Sequence, residues 1–261
     1  MFDSGFGGLT VARALIDLVP SEHLVYVGDT ARYPYGPKPL DEVRKYADQL
    51  TRYLVESHDV KLVVIACNTA AAAALDDVRR DHDIPVVGVI EPGVRAALSA
   101  APTGRAGVIG TVGTIASGAY QRAALELGGD VTLRCAACPG FVEFLERGET
   151  SGDQVHVLAE RLLTPLRREG VEALLLGCTH YPFLARTIGD VMGRDVVLVS
   201  SADEVAFEVR DVLAASGLAR DPQSGPGRHR FLSSGDVAWF EELGRRLLGP
   251  ELETAEALVW G

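Results

Sequence analysis

No stretch of this sequence approaches the roughly 20 consecutive apolar residues that a membrane-spanning helix needs, so no membrane partner is expected. The opening MFDSGFGG has neither a basic n-region nor an apolar h-region, which argues against a secretory signal and makes the cytoplasm the expected compartment. Lys/Arg-rich tracts are missing and the formal net charge is −11, so most of the surface repels polyanions and nucleic acid is not expected as a partner. The short runs RREGVE and GRRLLG read as solvated helix faces. Cysteine is scarce: Cys67, Cys135, Cys138 and Cys178 are too few for a disulfide framework and each must be read separately. The glycines of FDSGFGG also lack the G-x-G-x-x-G spacing, which disfavours a dinucleotide site.

What is present suits a folded core. The chain has 261 residues, 47% hydrophobic and 23% charged, enough for one large domain or two ordinary ones. Short Val/Leu/Ile runs predict strands at 24–28, 61–66, 85–90, 106–110, 131–135, 172–177 and 195–199. Helical patterns lie between or beyond them at 8–19, 40–58, 69–82, 92–100, 114–128, 153–169, 183–192, 202–216 and 236–248. Such alternation predicts an α/β protein whose mainly parallel sheets are flanked by helices, with ligands at the carboxyl ends of strands. The pattern is doubled, with ACNT and GCTH each ending a strand, and VYVGDT and GVIGTVGT each forming a strand–Gly–Thr turn. Two similar domains are therefore expected, residues 1–92 with 205–261 and residues 93–204, with an active site in the cleft between them. The segments 101–104 and 219–230 read as loops.

Two thiols sit where such a fold places its chemistry. Cys67 follows the apolar run KLVVIA and precedes a helical pattern, where free N–H groups would lower its pKa toward neutrality and Asn68 or Thr69 would cap the helix. Cys178 follows EALLLG and precedes Thr179 and His180; if the strand runs on, 178 and 180 face the same way and the imidazole is a proton partner. Pro182 suits the first turn of a helix, which would place this thiol at a helix start as well. Each site also has a plainer reading, as a buried core cysteine beside an ordinary cap. The pairing favours chemistry: removing a proton from one face of a carbon and returning it to the other needs two groups that exchange the roles of base and acid. Asp3 and Ser4 follow a stub of a strand, and Asp3 is placed to relay a proton or hold an ammonium group. The turn bearing Tyr33 and Tyr35, and the hydroxyls of GTVGT, are candidate ligand contacts or plain packing and capping residues. Cys135 and Cys138 spell C-A-A-C, which without a second such pair is a weak metal or dithiol signal.

Taken together, FDSGFGGLTV, YVGDTARYPYG, ACNTA, GVIGTVGT, LLLGCTHYP and VLVSSADEVA resemble the cofactor-independent aspartate/glutamate racemase superfamily, and its glutamate racemases in particular. The resemblance implies interconversion of L- and D-glutamate, supplying D-glutamate to peptidoglycan, with no cofactor and no metal, in a homodimer. It implies Cys67 and Cys178 as the two acid/bases, the first acting on D-glutamate and the second on L-glutamate, with Asp3 and His180 as helpers. Substrate contacts carried over are Asp3, Ser4, Tyr35, Gly36, Asn68, Thr69, Thr111, Thr114, Glu146, Thr179 and His180. Aspartate or hydantoin racemisation is the nearest alternative; a C-x-x-C thiol–disulfide protein and a non-enzymatic binding module are the rivals of another class.

Overall fold

The computed structural model describes residues 1–128 and 132–260. Cα packing divides the chain into two compact units, Met1–Val89 with Ala202–Gly261, and Ile90–Ser201. The first unit begins with β1 (Phe2–Asp3), α1 (Leu9–Leu18), β2 (Leu24–Gly28), α2 (Leu40–His58), β3 (Val63–Ile65), α3 (Asn68–Asp81) and β4 (Val86–Gly88). The second unit holds α4 (Ile90–Ser99), β5 (Arg105–Gly110), α5 (Val112–Ala116), α6 (Ala119–Leu127), β6 (Thr132–Ala137), α7 (Phe141–Glu146), α8 (Asp153–Arg168), β7 (Ala173–Gly177), α9 (Ala185–Met192) and β8 (Val197–Val199). The chain then returns to the first unit with α10 (Ala202–Ala215), β9 (His229–Ser233), α11 (Val237–Leu248) and β10 (Glu256–Ala257).

Each unit is built on one parallel sheet. The first has strand order β10-β9-β2-β1-β3-β4 and the second β6-β5-β7-β8. Parallel strands covered on both faces need apolar residues at every position, which is why VVI of β3 and ALLLG of β7 are buried throughout. Helices dock by apolar stripes: on α2, Val43, Ala47, Leu50 and Leu54 recur at helical spacing and are fully buried. Burying each leucine stabilises the unit by about 1.5–3 kcal/mol before conformational entropy is charged. α3 meets α2 with alanines, and Arg44 ties the two by donating to Ala73 O at 3.0 Å and pairing with Asp77 at 2.9 Å.

The sequence pattern places most elements within a few residues of where they lie, with specific exceptions. The helix expected over 114–128 is two helices, because Gly118 takes a left-handed conformation (φ 70°) between them. The segment 219–230 is not all loop: Pro222–Ser224 form a 3₁₀ turn and His229 begins β9, a strand sandwiched between β2 and β10. Residue 131, the expected start of a strand, lies outside the described residues. Helix α7 has no counterpart in the reading of the sequence. Among the described residues no helix is long and apolar enough to cross a membrane.

Candidate functional site

In the first unit the candidates collect at the carboxyl ends of β1, β2 and β3. Phe2 pairs with both Val27 and Ile65, so Asp3 and Ser4 leave the sheet beside Ala66 and Cys67. Asp3 is fully buried and accepts the Gly5 N–H at Oδ1, 2.9 Å, which fixes the turn that follows β1. Gly8 of that turn is demanded by packing: a Cβ there would stand 2.7 Å from the Asp3 Cβ and 3.0 Å from that of Ala66. Cys67 occupies the N-cap position of α3 in extended conformation, and its carbonyl accepts from Ala71 N at 2.8 Å. Asn68 and Thr69 therefore form the first helical turn instead of the cap, both buried.

The electrostatics of Cys67 depart from expectation. The Ala70 N–H and the Ser4 backbone and hydroxyl groups do favour a thiolate, as a helix start should. Burial outweighs them, reinforced by the nearby Asp3 carboxylate, and pushes the thiol up to about 12. In the protein alone Cys67 is a protonated thiol at neutral pH.

The Tyr33–Gly36 turn is held by a group the sequence reading passed over. Asp29, fully buried just after β2, accepts from the Tyr35 hydroxyl, from Arg32 Nε at 2.6 Å and from Ser234 Oγ at 2.6 Å. Thr30 and Ser233 hydroxyls meet at 2.6 Å beside them. Burial and the Asp29 charge raise the Tyr35 pKa, so its phenol stays a donor. The signal was present as the first polar residue after the apolar run LVYVG.

In the second unit the candidates follow β5 and β7, whose final residues Gly110 and Gly177 pair. Thr111 is the N-cap of α5, accepting the Thr114 N–H at 3.3 Å and sharing a 2.8 Å hydroxyl contact with Thr114. The capping reading of GTVGT is thus correct, with both hydroxyls buried. Cys178, Thr179 and His180 are buried together, with Cys178 Sγ 3.6 Å and Thr179 Oγ1 3.5 Å from His180 Nδ1. Thiol and imidazole meet although the strand stops at Gly177; a tight turn, not continued β structure, brings 178 and 180 to one side. Cys178 does not stand at an α-helix start either: Tyr181–Leu184 form a 3₁₀ turn and α9 begins only at Ala185. Burial lowers the His180 pKa to about 4, leaving a neutral ring.

Two of the singled-out groups stand apart. Glu146 ends α7 and is exposed, whereas the other candidates are buried. Cys135 lies within β6 and Cys138 just after it; both are free thiols, and burial pushes them up to about 11 and about 12, which disfavours the thiolate that dithiol exchange needs. Among the described residues no group of three or more His, Cys, Asp or Glu is placed to hold a metal ion.

A family model described as Asp/Glu/Hydantoin racemase matches residues 9–206. A glutamate racemase of Parafrankia is 55% identical over 252 residues, 97% of this chain and 91% of that protein. One of Corynebacterium glutamicum is 50% identical over 251 residues, 96% of this chain and 91% of that protein. Among solved structures, a glutamate racemase isoform from Bacillus anthracis superposes with a TM-score of 0.91 at 39% identity, covering 99% of this chain and 96% of that one. A glutamate racemase from Francisella tularensis in complex with D-glutamate gives 0.90 at 32% identity, covering 99% and 95%.

Proposed function

Because the chain belongs to the Asp/Glu/Hydantoin racemase family, we propose that it interconverts L- and D-glutamate by two-base proton transfer between Cys67 and Cys178. The carrying observation is the matched pair of buried thiols, each just past the carboxyl end of an inner parallel strand, β3 and β7. In this reading the two sulfurs act on opposite faces of the α-carbon of the bound amino acid. One thiolate takes the α-proton as the C–H bond breaks; the other thiol returns a proton to the opposite face. In this reading Cys67 acts on D-glutamate and Cys178 on L-glutamate.

The geometry supports roles for the neighbours. N–H groups of the first turn of α3, with Asn68, Thr69 and Thr179, are donors suited to the α-carboxylate as it takes up carbanion charge. Tyr35, Gly36, Thr111 and Thr114 serve substrate binding, the Tyr35 oxygen as an acceptor because its proton is donated to Asp29. Asp3 is suited to the substrate ammonium, whose positive charge would offset the burial that keeps Cys67 protonated. Neutral His180 accepts the Cys178 proton or steadies its thiolate. Glu146, exposed, contributes at most at the rim. No step uses a cofactor. D-glutamate made this way would feed peptidoglycan assembly, with the enzyme acting in the cytoplasm as a homodimer, states that fractionation and sedimentation test.

The deciding experiment is incubation of L- and D-glutamate in D2O with protein freed of metals and of pyridoxal phosphate, following optical rotation and α-hydrogen loss. Wild type should racemise and exchange; Cys67→Ala and Cys178→Ala should abolish racemisation. Near-normal turnover by either variant would refute the two-base scheme. Faster turnover of aspartate or hydantoins than of glutamate would move the chain to that branch of the family.

A further inference from the structure

Tyr26 is fully buried in β2, and the proton transfers described for Cys67 and Cys178 make no use of it. A buried hydroxyl costs free energy unless it is hydrogen-bonded. Its partners lie in the turn between β1 and α1. The hydroxyl donates to Gly5 O at 2.9 Å and accepts from the Gly8 N–H, so one oxygen grips both ends of the Gly5–Gly8 turn. The approach is close: a Cβ at Gly8 would stand 3.0 Å from the Tyr26 oxygen.

The ring has little freedom to release that grip. Phe240 of α11 stacks on it, with centroids 6.0 Å apart and planes at 28°, and Phe231 of β9 lies 6.2 Å away. Both phenylalanines belong to the segment that returns to the first unit after Ser201. Burial, with the Asp3 and Cys67 charges nearby, raises the Tyr26 pKa well above the ordinary 10, so the proton stays available to Gly5 O. The turn leads directly to the chemistry. Ala66 N donates to Phe2 O at 2.9 Å, which sets the end of β3 beside β1. Ser4 immediately precedes Gly5, and its N–H and hydroxyl both donate to the Cys67 sulfur.

We propose that Tyr26 is a positioning residue for Cys67: its hydroxyl, bonded to Gly5 and Gly8, holds the turn so that Ser4 keeps both donors on the sulfur. Its value in turnover rests on the reading of Cys67 as a proton-transfer thiol, whereas the brace itself acts on the sulfur with or without substrate. Tyr26→Phe keeps the aromatic packing and removes only the oxygen, which leaves Gly5 O and the Gly8 N–H without that partner. The turn then relaxes, Ser4 holds the sulfur less well, and the thiolate is harder to form.

The test follows iodoacetamide alkylation at fixed pH in proteins that keep Cys67 as their one cysteine. Tyr26→Phe should slow alkylation by about threefold or more, as hydrogen bonding to the thiolate weakens. Ser4→Ala should slow it too, and the double variant should be slowed by less than the product of the two, because both act on the same contact. Tyr181→Phe removes a buried hydroxyl of the second unit, which donates to Cys138 O at 3.2 Å, and should leave the rate unchanged while lowering stability in urea to a similar extent. Unchanged or faster alkylation in Tyr26→Phe, slowing that multiplies fully with Ser4→Ala, or equal slowing in Tyr181→Phe would each overturn the positioning role. The Gly8 amide of the unsubstituted protein should exchange slowly with solvent, and fast exchange there would overturn the brace whether or not Tyr26→Phe folds. With all cysteines in place, Tyr26→Phe should lower kcat for glutamate by a larger factor than it raises KM. Slowed alkylation with undiminished turnover would leave the brace standing and refute instead the proton-transfer role of Cys67.

Discussion

Gly110 and Gly177 are ladder partners at the carboxyl ends of β5 and β7, and the residues that follow them are the cap Thr111 and the thiol Cys178. The pairing is tight on one side: a Cβ at 177 would stand 2.5 Å from the Tyr120 hydroxyl and 2.7 Å from Ile109 O. At 110 the nearest contact would be 3.1 Å, to the flexible end of Ile115. Gly177→Ala should therefore destabilise the protein by about 1–3 kcal/mol, the usual range for overpacking, and depress racemisation by displacing Cys178. Gly110→Ala should be milder on both counts. Urea unfolding and turnover of the two variants check the order; equal effects would refute it.

Asp3 and Cys67 oppose one another electrostatically, because the carboxylate adds to the burial that holds the thiol protonated. Asp3→Asn should therefore lower the Cys67 pKa. In a background lacking the other three cysteines, alkylation of Cys67 at fixed pH should speed up. If Asp3 has the role proposed for it, turnover of the same substitution in the otherwise intact enzyme should fall by about tenfold or more. A slower alkylation would show that Asp3 supports the thiolate instead.

Strands β2 to β8 were legible because buried parallel strands leave Val/Leu/Ile runs, and the thiols were legible because they terminate two such runs. β1 was visible only as a stub and β10 not at all, since two residues carry no period. β9 was hidden because the Pro- and Gly-rich stretch before it reads as one long loop. Asp29 went unremarked for a different reason: its importance lies in Ser234, Arg32 and Tyr35 converging on it, and Ser234 lies just past the end of β9, more than 200 positions away, which no local pattern reports. The pKa of Cys67 was misjudged in sign because a helix start is readable from sequence, whereas the depth of burial that overrides it is a tertiary property.

Asp29 carries the third prediction. Its two oxygens accept from Tyr35, Arg32 and Ser234, so Asp29→Asn removes the charge and turns one acceptor into a donor facing a hydroxyl or guanidinium. A destabilisation of about 1–3 kcal/mol is expected from the groups left badly paired. Because Asp29 acts through the Tyr35–Gly36 turn, KM for glutamate should rise by about tenfold while kcat changes less. Ser234→Ala should shift KM in the same direction by a smaller factor. A fall in kcat at constant KM would place Asp29 in the proton-transfer chemistry and refute the positioning role.

His180 makes stability depend on acid pH. Its folded pKa of about 4 lies below the ordinary 6.5, and burial is the cause. Below 6.5 the unfolded chain gains a proton that the folded one refuses, so stability present at neutral pH is lost as the pH falls toward the folded value. A shift of that size corresponds to a loss on the order of 3 kcal/mol between neutrality and pH 4. His180→Gln keeps a hydrogen-bonding side chain beside Cys178 and Thr179 but cannot titrate, so the variant should lose less stability over the same interval. Urea unfolding of both proteins at neutral pH and near pH 4 measures the difference. The carboxylates and the remaining histidines titrate alike in the two proteins, so subtracting one curve from the other isolates His180. A difference of zero would mean that the imidazole is solvated and protonates freely in the folded state, and the neutral partner invoked for Cys178 would then be wrong.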